Sequence, residues 1–304
     1  MTQLYDLIII GSGPAGLAAA VYAQRARLNT LILEKAMVSG GQVLTTYEVD
    51  NYPGLPGIGG YDLGLKFREH ADRLGALFKE DEVISVEDGP VKRVVCSGGI
   101  YEARAVILAT GAIHRKLGIP GEEELGGAGV SYCATCDGAF FRNKVTAVIG
   151  GGDVAVEDAI FLARMCSKVY LIHRRNELRA AKSLQENLLS LDNVEVIWDT
   201  VADSINGDGM VKSLSLTNVK NGQKRELDVQ GVFIAVGITP ESRAFEGLVD
   251  MDHGYIRAGE DTVTSAPGIF AAGDVRTKPL RQIITAAADG ANAITSVERY
   301  LVEN

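Results

Sequence analysis

The feature that most constrains this chain is a glycine-rich strand-to-helix turn that occurs twice, with corresponding residues 139 positions apart. The first copy is YDLIIIGSGPAGLAAAVYAQRARLNTLILEK, residues 5–35. Residues 7–10 form an apolar run of the kind shown by a buried parallel strand. Gly11-x-Gly13-x-x-Gly16 follows at once, and an alanine-rich helix begins there with Pro14 and Ala15. Residues 30–33 form a second strand that ends at Glu34. The first glycine permits the turn, the second lets backbone approach a pyrophosphate, and the third lets helix and strand pack closely. The helix N-terminus then faces the anion with free N–H groups and a favourable dipole. Glu34 stands where a carboxylate accepts hydrogen bonds from a ribose.

The second copy is VTAVIGGGDVAVEDAIFLARMCSKVYLIHRR, residues 145–175. Gly150, Gly152 and Ala155 fall on 11, 13 and 16, and His173 falls on Glu34. The repeat predicts two nucleotide sites with different chemistry. Where the first copy has an acid, the second has His173-Arg174-Arg175, with Arg179 one turn on. A carboxylate repels a 2′-phosphate, whereas guanidinium forks bind it bidentately. The second site therefore reads as NADPH, and the first as FAD or NAD.

Two further strand-like segments end in glycine turns, AVILATGA (105–112) and GVFIAVGITPES (231–242), and each can close a nucleotide-binding half. APGIFAAGD (266–274) reads as a short buried strand ending at Gly273-Asp274, followed by a long helix from RQIITAAADGANAIT. An aspartate there can hold a polyol hydroxyl, and the helix start near Arg281-Gln282-Ile283 can set a positive dipole end against a reduced flavin. For Asp274 to reach the first cofactor, the N-terminal unit and the tail must share one core. The expected fold is α/β, with two Rossmann-like three-layer domains and the second inserted into the first. The FAD-binding domain would span 1–114 and 242–304, and the NADPH-binding domain 115–241. HRKLGIPGEEE and GITPES, each with a glycine and a proline, read as a two-stranded linker.

Between the two copies lies VSYCATCDGAFF, residues 130–141. Three readings compete for Cys133 and Cys136. A zinc site needs four ligands, the pair supplies two, and the histidines at 70, 114, 173 and 253 are scattered. A pair of buried structural thiols is a second reading. A dithiol/disulfide centre is favoured, because two hydride-handling nucleotides are implied beside it. A flavin that takes a hydride from NADPH can pass two electrons to a disulfide, and leaving thiolates then need protons. Asp137 is placed to supply them; the plainer reading is an ordinary aspartate in a first helical turn. Cys96 and Cys166 read as small buried hydrophobes.

Composition narrows the partners. A net charge of −9 argues against nucleic acid or an anionic membrane. Residues 7–24 carry no charge, but three glycines and a proline interrupt them, which disfavours a membrane span. The N-terminus, MTQLYD, lacks a basic region, so no secretory signal is expected. Four cysteines without such a signal point to a reducing, cytoplasmic location.

GSGPAG, GGQ (40–42), DNYPG (50–54), ATGA, CATCD, GGGDVAVEDA, HRRNELRA, PGIFAAGD and RQ (281–282) occur in one order along nearly the whole chain. In this the sequence closely resembles the small bacterial-type thioredoxin reductases, the class II pyridine nucleotide-disulfide oxidoreductases. The resemblance implies FAD, NADPH, a homodimer and thioredoxin as the disulfide substrate. By position Cys136 matches the cysteine that faces the flavin, Cys133 the one that attacks thioredoxin, and Asp137 the acid. On the FAD side it implies Gly11 to Gly16, Glu34, Lys35, Gln42, Asn51, Val83, Thr110, Gly111, Gly273, Asp274, Arg281, Gln282 and Ile283. On the NADPH side it implies Gly150, Gly152, Asp153, Val154, Ala155, Glu157, His173, Arg174, Arg175 and Arg179. The family also alternates between two domain arrangements, which a double linker would permit.

Three positions depart from the family pattern. Val154 stands where a serine or threonine is usual, at a cost of about 1 kcal/mol in one lost hydrogen bond to NADPH. Ala139 replaces one of two usual aromatics, leaving Phe140 and Phe141 as candidate thioredoxin-docking groups. Ala288 replaces a usual glycine. The alternatives are a ferredoxin-dependent flavin thioredoxin reductase, a reductase of another thioredoxin-like or peroxiredoxin partner, a flavin-dependent oxidase of small dithiols, and a non-catalytic FAD-binding redox sensor. The retained arginines weigh against the ferredoxin-dependent reading.

Overall fold

The computed structural model describes residues 3–46 and 48–304. The chain divides into two compact units, Met1–Ile113 with Thr239–Asn304, and His114–Ile238.

The first unit opens with β1 (Leu4–Ile10), α1 (Pro14–Arg25) and β2 (Thr30–Glu34). The predicted first strand thus begins three residues early, at Leu4. Next come α2 (Gly60–Arg73), β3 (Leu77–Glu80), β4 (Val83–Glu87), β5 (Lys92–Cys96) and β6 (Gly99–Leu108), ending in the short β7 (Ala112–His114). β1 lies between β2 and β6 and runs parallel to both, with Ile10 opposite Leu33 and Leu108. β3 extends the parallel part, and β4 and β5 pair antiparallel beside β6. Because β1 is covered on both faces, its apolar residues run without a break. Leu7 and Ile9 pack with Ala15, Ala19 and Ala23 of α1 on one side, while Ile8 and Ile10 join Leu31, Leu33 and Val94 on the other.

The second unit contains β8 (Val130–Ser131), α3 (Ala134–Asp137), β9 (Val145–Gly150), α4 (Asp153–Ala163), β10 (Lys168–Ile172), α5 (Lys182–Leu189) and β11 (Val194–Ile197). β12 (Thr200–Gly207), β13 (Val211–Asn218), β14 (Lys224–Asp228) and β15 (Gly231–Ala235) complete it. The parallel sheet has the order β11-β10-β9-β15-β8, and β12-β13-β14 form a separate antiparallel sheet. Three layers result. Val148, Leu171 and Phe233 pack against Ala155, Val156 and Ala159 of α4. Ala147, Ile149 and Ile234 pack instead with Ile205, Leu214 and Leu227 of the antiparallel strands.

The chain returns through β16 (Ile238–Pro240), which pairs with β7, then β17 (Met251–Asp252), β18 (Tyr255–Ile256), β19 (Ile269–Ala271) and the long α6 (Ile283–Glu303). β19 joins the first sheet beside β6, with Ala271 opposite Leu108. Helix α6 lies close on α1: a Cβ on Gly290 would stand 2.1 Å from the carbonyl oxygen of Ala15. The α/β class with two Rossmann-like halves is therefore as expected. Among the described residues no helix is long and apolar enough to cross a membrane.

Candidate active site

In the first turn each glycine answers a different steric demand. Gly11 has φ +102°, and a Cβ there would lie 2.4 Å from the carbonyl oxygen of Ala109. At Gly16 a Cβ would lie 1.9 Å from the oxygen of Gly11, so strand and helix meet backbone to backbone. At Gly13 a Cβ would meet nothing nearer than 4.0 Å. That open face at the start of α1 is a cradle of the kind a pyrophosphate fills. Glu34 closes the turn from β2, its Oε2 accepting the N–H and the hydroxyl of Ser12, both at 2.8 Å.

The other residues expected on the FAD side lie within the same unit. Lys35 is exposed and pairs with Glu241 at 3.3 Å. Gln42 sits in a short 3-10 turn, Gly41–Thr45. Asn51 donates to Gln282 Oε1 at 2.8 Å, joining two candidates distant in sequence. Gln282 and Thr285 form a capping box at the start of α6, where Ile283 is the first helical residue. Thr110 donates to the carbonyl of Glu241 at 2.6 Å, and next to it Gly111 has φ +74° with open space where a Cβ would point. Val83, first residue of β4, packs half-buried against the core beside β5.

Asp274 follows β19 in the turn of Gly273–Val275. Its Oδ1 is buried and has no hydrogen-bond partner among the described residues. Burial pushes this carboxyl above its ordinary range, against the pull of Lys278 and Arg281. Arg281 lies over the ring of Tyr255, 4.1 Å from its centroid. Residues that motif reading missed stand directly behind. Asp289 of α6 accepts the Gly273 N–H at 2.9 Å, Arg276 at 2.7 and 2.8 Å, and Lys278 at 2.9 Å. Burial opposes the charge of Asp289, but the hydrogen bonds from both cations outweigh it and hold the carboxyl below its usual range.

The second turn repeats the plan with other side chains. Gly152 has nothing within 4 Å of where a Cβ would be. A Cβ on Gly150 would meet the Ala155 methyl and the Ala235 oxygen, each at 2.5 Å. His173 is buried beneath the turn, with ring atoms 2.2 Å from where a Cβ of Gly151 would sit, and its Nε2 lies 3.0 Å from the Glu177 carbonyl. Burial lowers its pKa, and the nearby Arg179 and Arg175 add to that. Arg174, Arg175 and Arg179 are exposed, and the Arg179 N–H bonds the Gly151 carbonyl at 2.8 Å. Asp153 accepts the Ala181 N–H at 2.7 Å, while Val154 and Glu157 are exposed on the outer side of α4.

Cys133 and Cys136 form a disulfide, with their Cα atoms 5.3 Å apart and both residues half-buried. Cys133 is the N-cap of the one-turn helix α3, which ends at Asp137. The Cys133 N–H donates to Ser131 Oγ at 3.0 Å, and Ser131 donates to Asp137 Oδ2 at 2.5 Å. Asp137 Oδ1 is buried without a partner among the described residues. Burial raises the pKa of this acid, and the hydrogen bond from Ser131 partly opposes the rise. Phe141 is not an available docking group. It is 7% exposed, its ring packs edge-on against Phe233, and Gly231 leaves room for it. The neighbouring Phe140 is only half-buried.

Residues 5–290 match the pyridine nucleotide-disulphide oxidoreductase family. The chain belongs to this family. It is 46% identical over 304 residues to a thioredoxin reductase of Bacillus subtilis, covering 99% of this chain and 96% of that protein. It is 48% identical to a thioredoxin reductase of Listeria innocua, over 99% and 95% of the two chains. The crystal structure of a Streptococcus pyogenes thioredoxin reductase superposes with a TM-score of 0.96 at 44% identity, over the full length of both chains. Within the family the chain therefore falls among the thioredoxin reductases, whose cofactors are FAD and NADPH.

Proposed function

We propose that the chain is an NADPH-dependent flavoprotein that reduces the disulfide of thioredoxin through Cys133 and Cys136. In this reading the first unit holds FAD, and the second holds NADPH and carries the redox pair. One observation carries it: a half-buried Cys133–Cys136 disulfide with an acid pinned beside it, in the same unit as an arginine-flanked nucleotide turn. A homodimer in a reducing cytosol completes the reading, and the free buried thiols of Cys96 and Cys166 support that compartment.

The residues present fit both cofactors. The open faces at Gly13 and Gly111, and the Oδ1 of Asp274 that has no partner among the described residues, suit the pyrophosphate and polyol of FAD. Glu34 would take the adenosine ribose, with Lys35, Gln42, Asn51 and Val83 around the dinucleotide, and the α6 start at Gln282 and Ile283 would favour a reduced, anionic ring. The open face at Gly152 suits the NADPH pyrophosphate, with Asp153, Val154, Ala155 and Glu157 on its rim. Arg174, Arg175 and Arg179 would grip the 2′-phosphate, while His173 supports the turn from below.

When bound, the flavin supplies a two-electron relay from nicotinamide to disulfide. Two electrons open the Cys133–Cys136 bond. The thiolate of Cys133 attacks a sulfur of the partner's disulfide and expels one partner thiolate. Cys136 then attacks Cys133 Sγ, restores the internal disulfide and releases the second partner thiolate. Asp137 exchanges the protons these sulfurs gain and lose. Its raised pKa keeps it able to donate closer to neutral pH than an exposed aspartate.

The test is turnover of oxidised thioredoxin by the purified yellow holoprotein with NADPH, NADH or reduced ferredoxin as donor. NADPH should serve far better than NADH. Activity with ferredoxin alone would overturn the reading. Cys136→Ser should still let NADPH bleach the flavin while abolishing disulfide reduction; normal turnover by that variant would show that electrons take another route.

A further inference from the structure

We propose that Ser131 is a positioning residue for the disulfide chemistry: its single hydroxyl holds both Cys133 and Asp137 and so decides which carboxyl oxygen handles the proton. The inference rests on the reading of Cys133–Cys136 as the reacting pair and of Asp137 as its acid.

A serine hydroxyl has one proton to give and two lone pairs to receive. The lone pair takes the Cys133 N–H at 3.0 Å. The proton has two acceptors in reach, Asp137 Oδ2 at 2.5 Å and the Cys133 carbonyl at 3.4 Å, and the nearer, carboxylate oxygen wins. Oδ2 is thereby committed as an acceptor. Oδ1, buried and without a partner among the described residues, is left as the oxygen that carries and releases the proton.

Ser131 is held by the parallel sheet of the second unit. It is 5% exposed, and it ends β8, where it pairs with Phe233 of β15 in the parallel sheet. Helix α3, by contrast, is a single turn, in which the Asp137 N–H bonds the Cys133 carbonyl at 3.1 Å, and a helix this short is marginal on its own. The serine therefore transfers the order of the sheet to a loop that must open and close a disulfide. In the step concerned, the O–H bond at Asp137 Oδ1 breaks as an S–H bond forms on the thiolate. The carboxylate left behind keeps the bond from Ser131, and no electrons are exchanged.

Other ionisable groups stand on the neighbouring elements: Glu157 and Asp158 on α4, and Tyr132 with its partner Glu122 next to β8. Burial, and then the charge of Glu157, push the Asp158 carboxyl up to about 7, so its contribution must be separated from that of Asp137.

The experiment follows the reoxidation of two-electron-reduced holoprotein by a small dialkyl disulfide, whose leaving thiolate is basic enough to need a proton, in stopped flow, across pH. Asp137→Asn should slow it on the order of a hundredfold and erase the limb at which the rate falls with rising pH. Ser131→Ala should keep that limb but move it to higher pH, because the carboxylate loses a donated hydrogen bond, and should slow the reaction about tenfold. Ser131→Thr, which restores a hydroxyl, should return towards the parent profile. Asp158→Asn should leave this limb in place. If Asp137→Asn alters the profile and Ser131→Ala does not, the role of Ser131 is overturned while the acid stands. A silent Asp137→Asn would remove the acid and the proposal with it. Should Ser131→Ala fail to fold, Ser131→Thr decides: a displaced limb in that folded variant also counts against the proposal.

Discussion

The two nucleotide turns share a backbone plan and solve it with opposite side chains. In the first, a serine at position 12 faces an acid at 34, and the acid takes both of the serine's donors. In the second, the same two positions hold Gly151 and His173, and the imidazole occupies the space that a side chain at 151 would need. A carboxylate in this place requires donors; a ring requires room. The change in the outer residue therefore travels with a change in the turn itself. Likewise Gly16 meets the Gly11 carbonyl directly, whereas in the second turn the Ala155 methyl sits over Gly150. The two turns therefore differ in the packing beneath them as well as in the charges beside them, and under the proposed assignment both differences would separate the two cofactors.

The steepest test of that comparison is at the third position. Gly16→Ala would put a methyl 1.9 Å from a backbone oxygen that cannot yield without moving β1. We expect a loss of at least about 3 kcal/mol, seen as poor recovery of flavin-bound protein and a lowered Tm. The converse change, Ala155→Gly, should cost only about 1 kcal/mol of helix propensity. Equal effects at the two sites would show that the turns are not sterically distinct.

The charges facing the ligand come next. Replacing Arg174, Arg175 and Arg179 together with Gln removes the exposed guanidinium cluster and leaves His173 in place beneath the turn. The KM for NADPH should rise on the order of a hundredfold, since charge-assisted hydrogen bonds contribute about 1.5–3 kcal/mol each before screening by solvent. The KM for NADH should scarcely move. A parallel loss with both donors would place the arginines in support of the fold rather than at the 2′-phosphate.

Much of this was legible in the sequence because glycine fingerprints announce backbone that no other residue can adopt. The turns and the strands before them follow from positions 11–16 and 150–155. The contacts that finish the site were not legible. Ser12 reaches Glu34 across 22 residues, and Asp289 gathers Gly273, Arg276 and Lys278 from a segment 11 to 16 residues earlier. Such partners share no period or spacing; only the fold brings them together. Ser131 lay two residues before Cys133, but nothing in VSYC marks a serine as buried and doubly bonded. The antiparallel sheet of β12, β13 and β14 was also unread, because alternating strands without a fingerprint resemble any surface ribbon. At Phe141 the family pattern suggested exposure, and the core packing against Phe233 decided otherwise.

The 12/34 and 151/173 pairs can be exchanged directly. Gly151→Ser should cost roughly 2 kcal/mol, because its Cβ would stand 2.2 Å from the His173 ring, which the Glu177 carbonyl helps to hold. Adding His173→Glu recreates the serine–acid arrangement of the first turn. Thermal unfolding of the double variant should recover much of that loss, a coupling of about 1 kcal/mol. If the two changes simply add, the side chains at these positions are independent and the comparison fails at its centre.

The smallest effect separates the helices that follow the turns. Ala19 of α1 and Asp158 of α4 occupy equivalent positions, 139 residues apart. Ala19 is fully buried in the hydrophobic cluster that β1, α1 and α6 share, so a carboxylate has no place there. Helix α4 tolerates Asp158, but burial first, and the adjacent charge of Glu157 second, push its pKa from 3.8 up to about 7. The folded state therefore holds this proton more tightly than the unfolded chain. The resulting stability is fully present below pH 3.8 and is lost as pH rises through about 7. Asp158→Asn removes the titration, so its stability relative to the parent should increase across that interval, by an amount on the order of 1 kcal/mol near neutral pH after allowance for partial solvation. Denaturant unfolding at pH 5 and pH 8 reads the difference. A constant gap at the two pH values would mean that Asp158 ionises in the folded protein as it does in water, and that the space over α4 is as open as any surface.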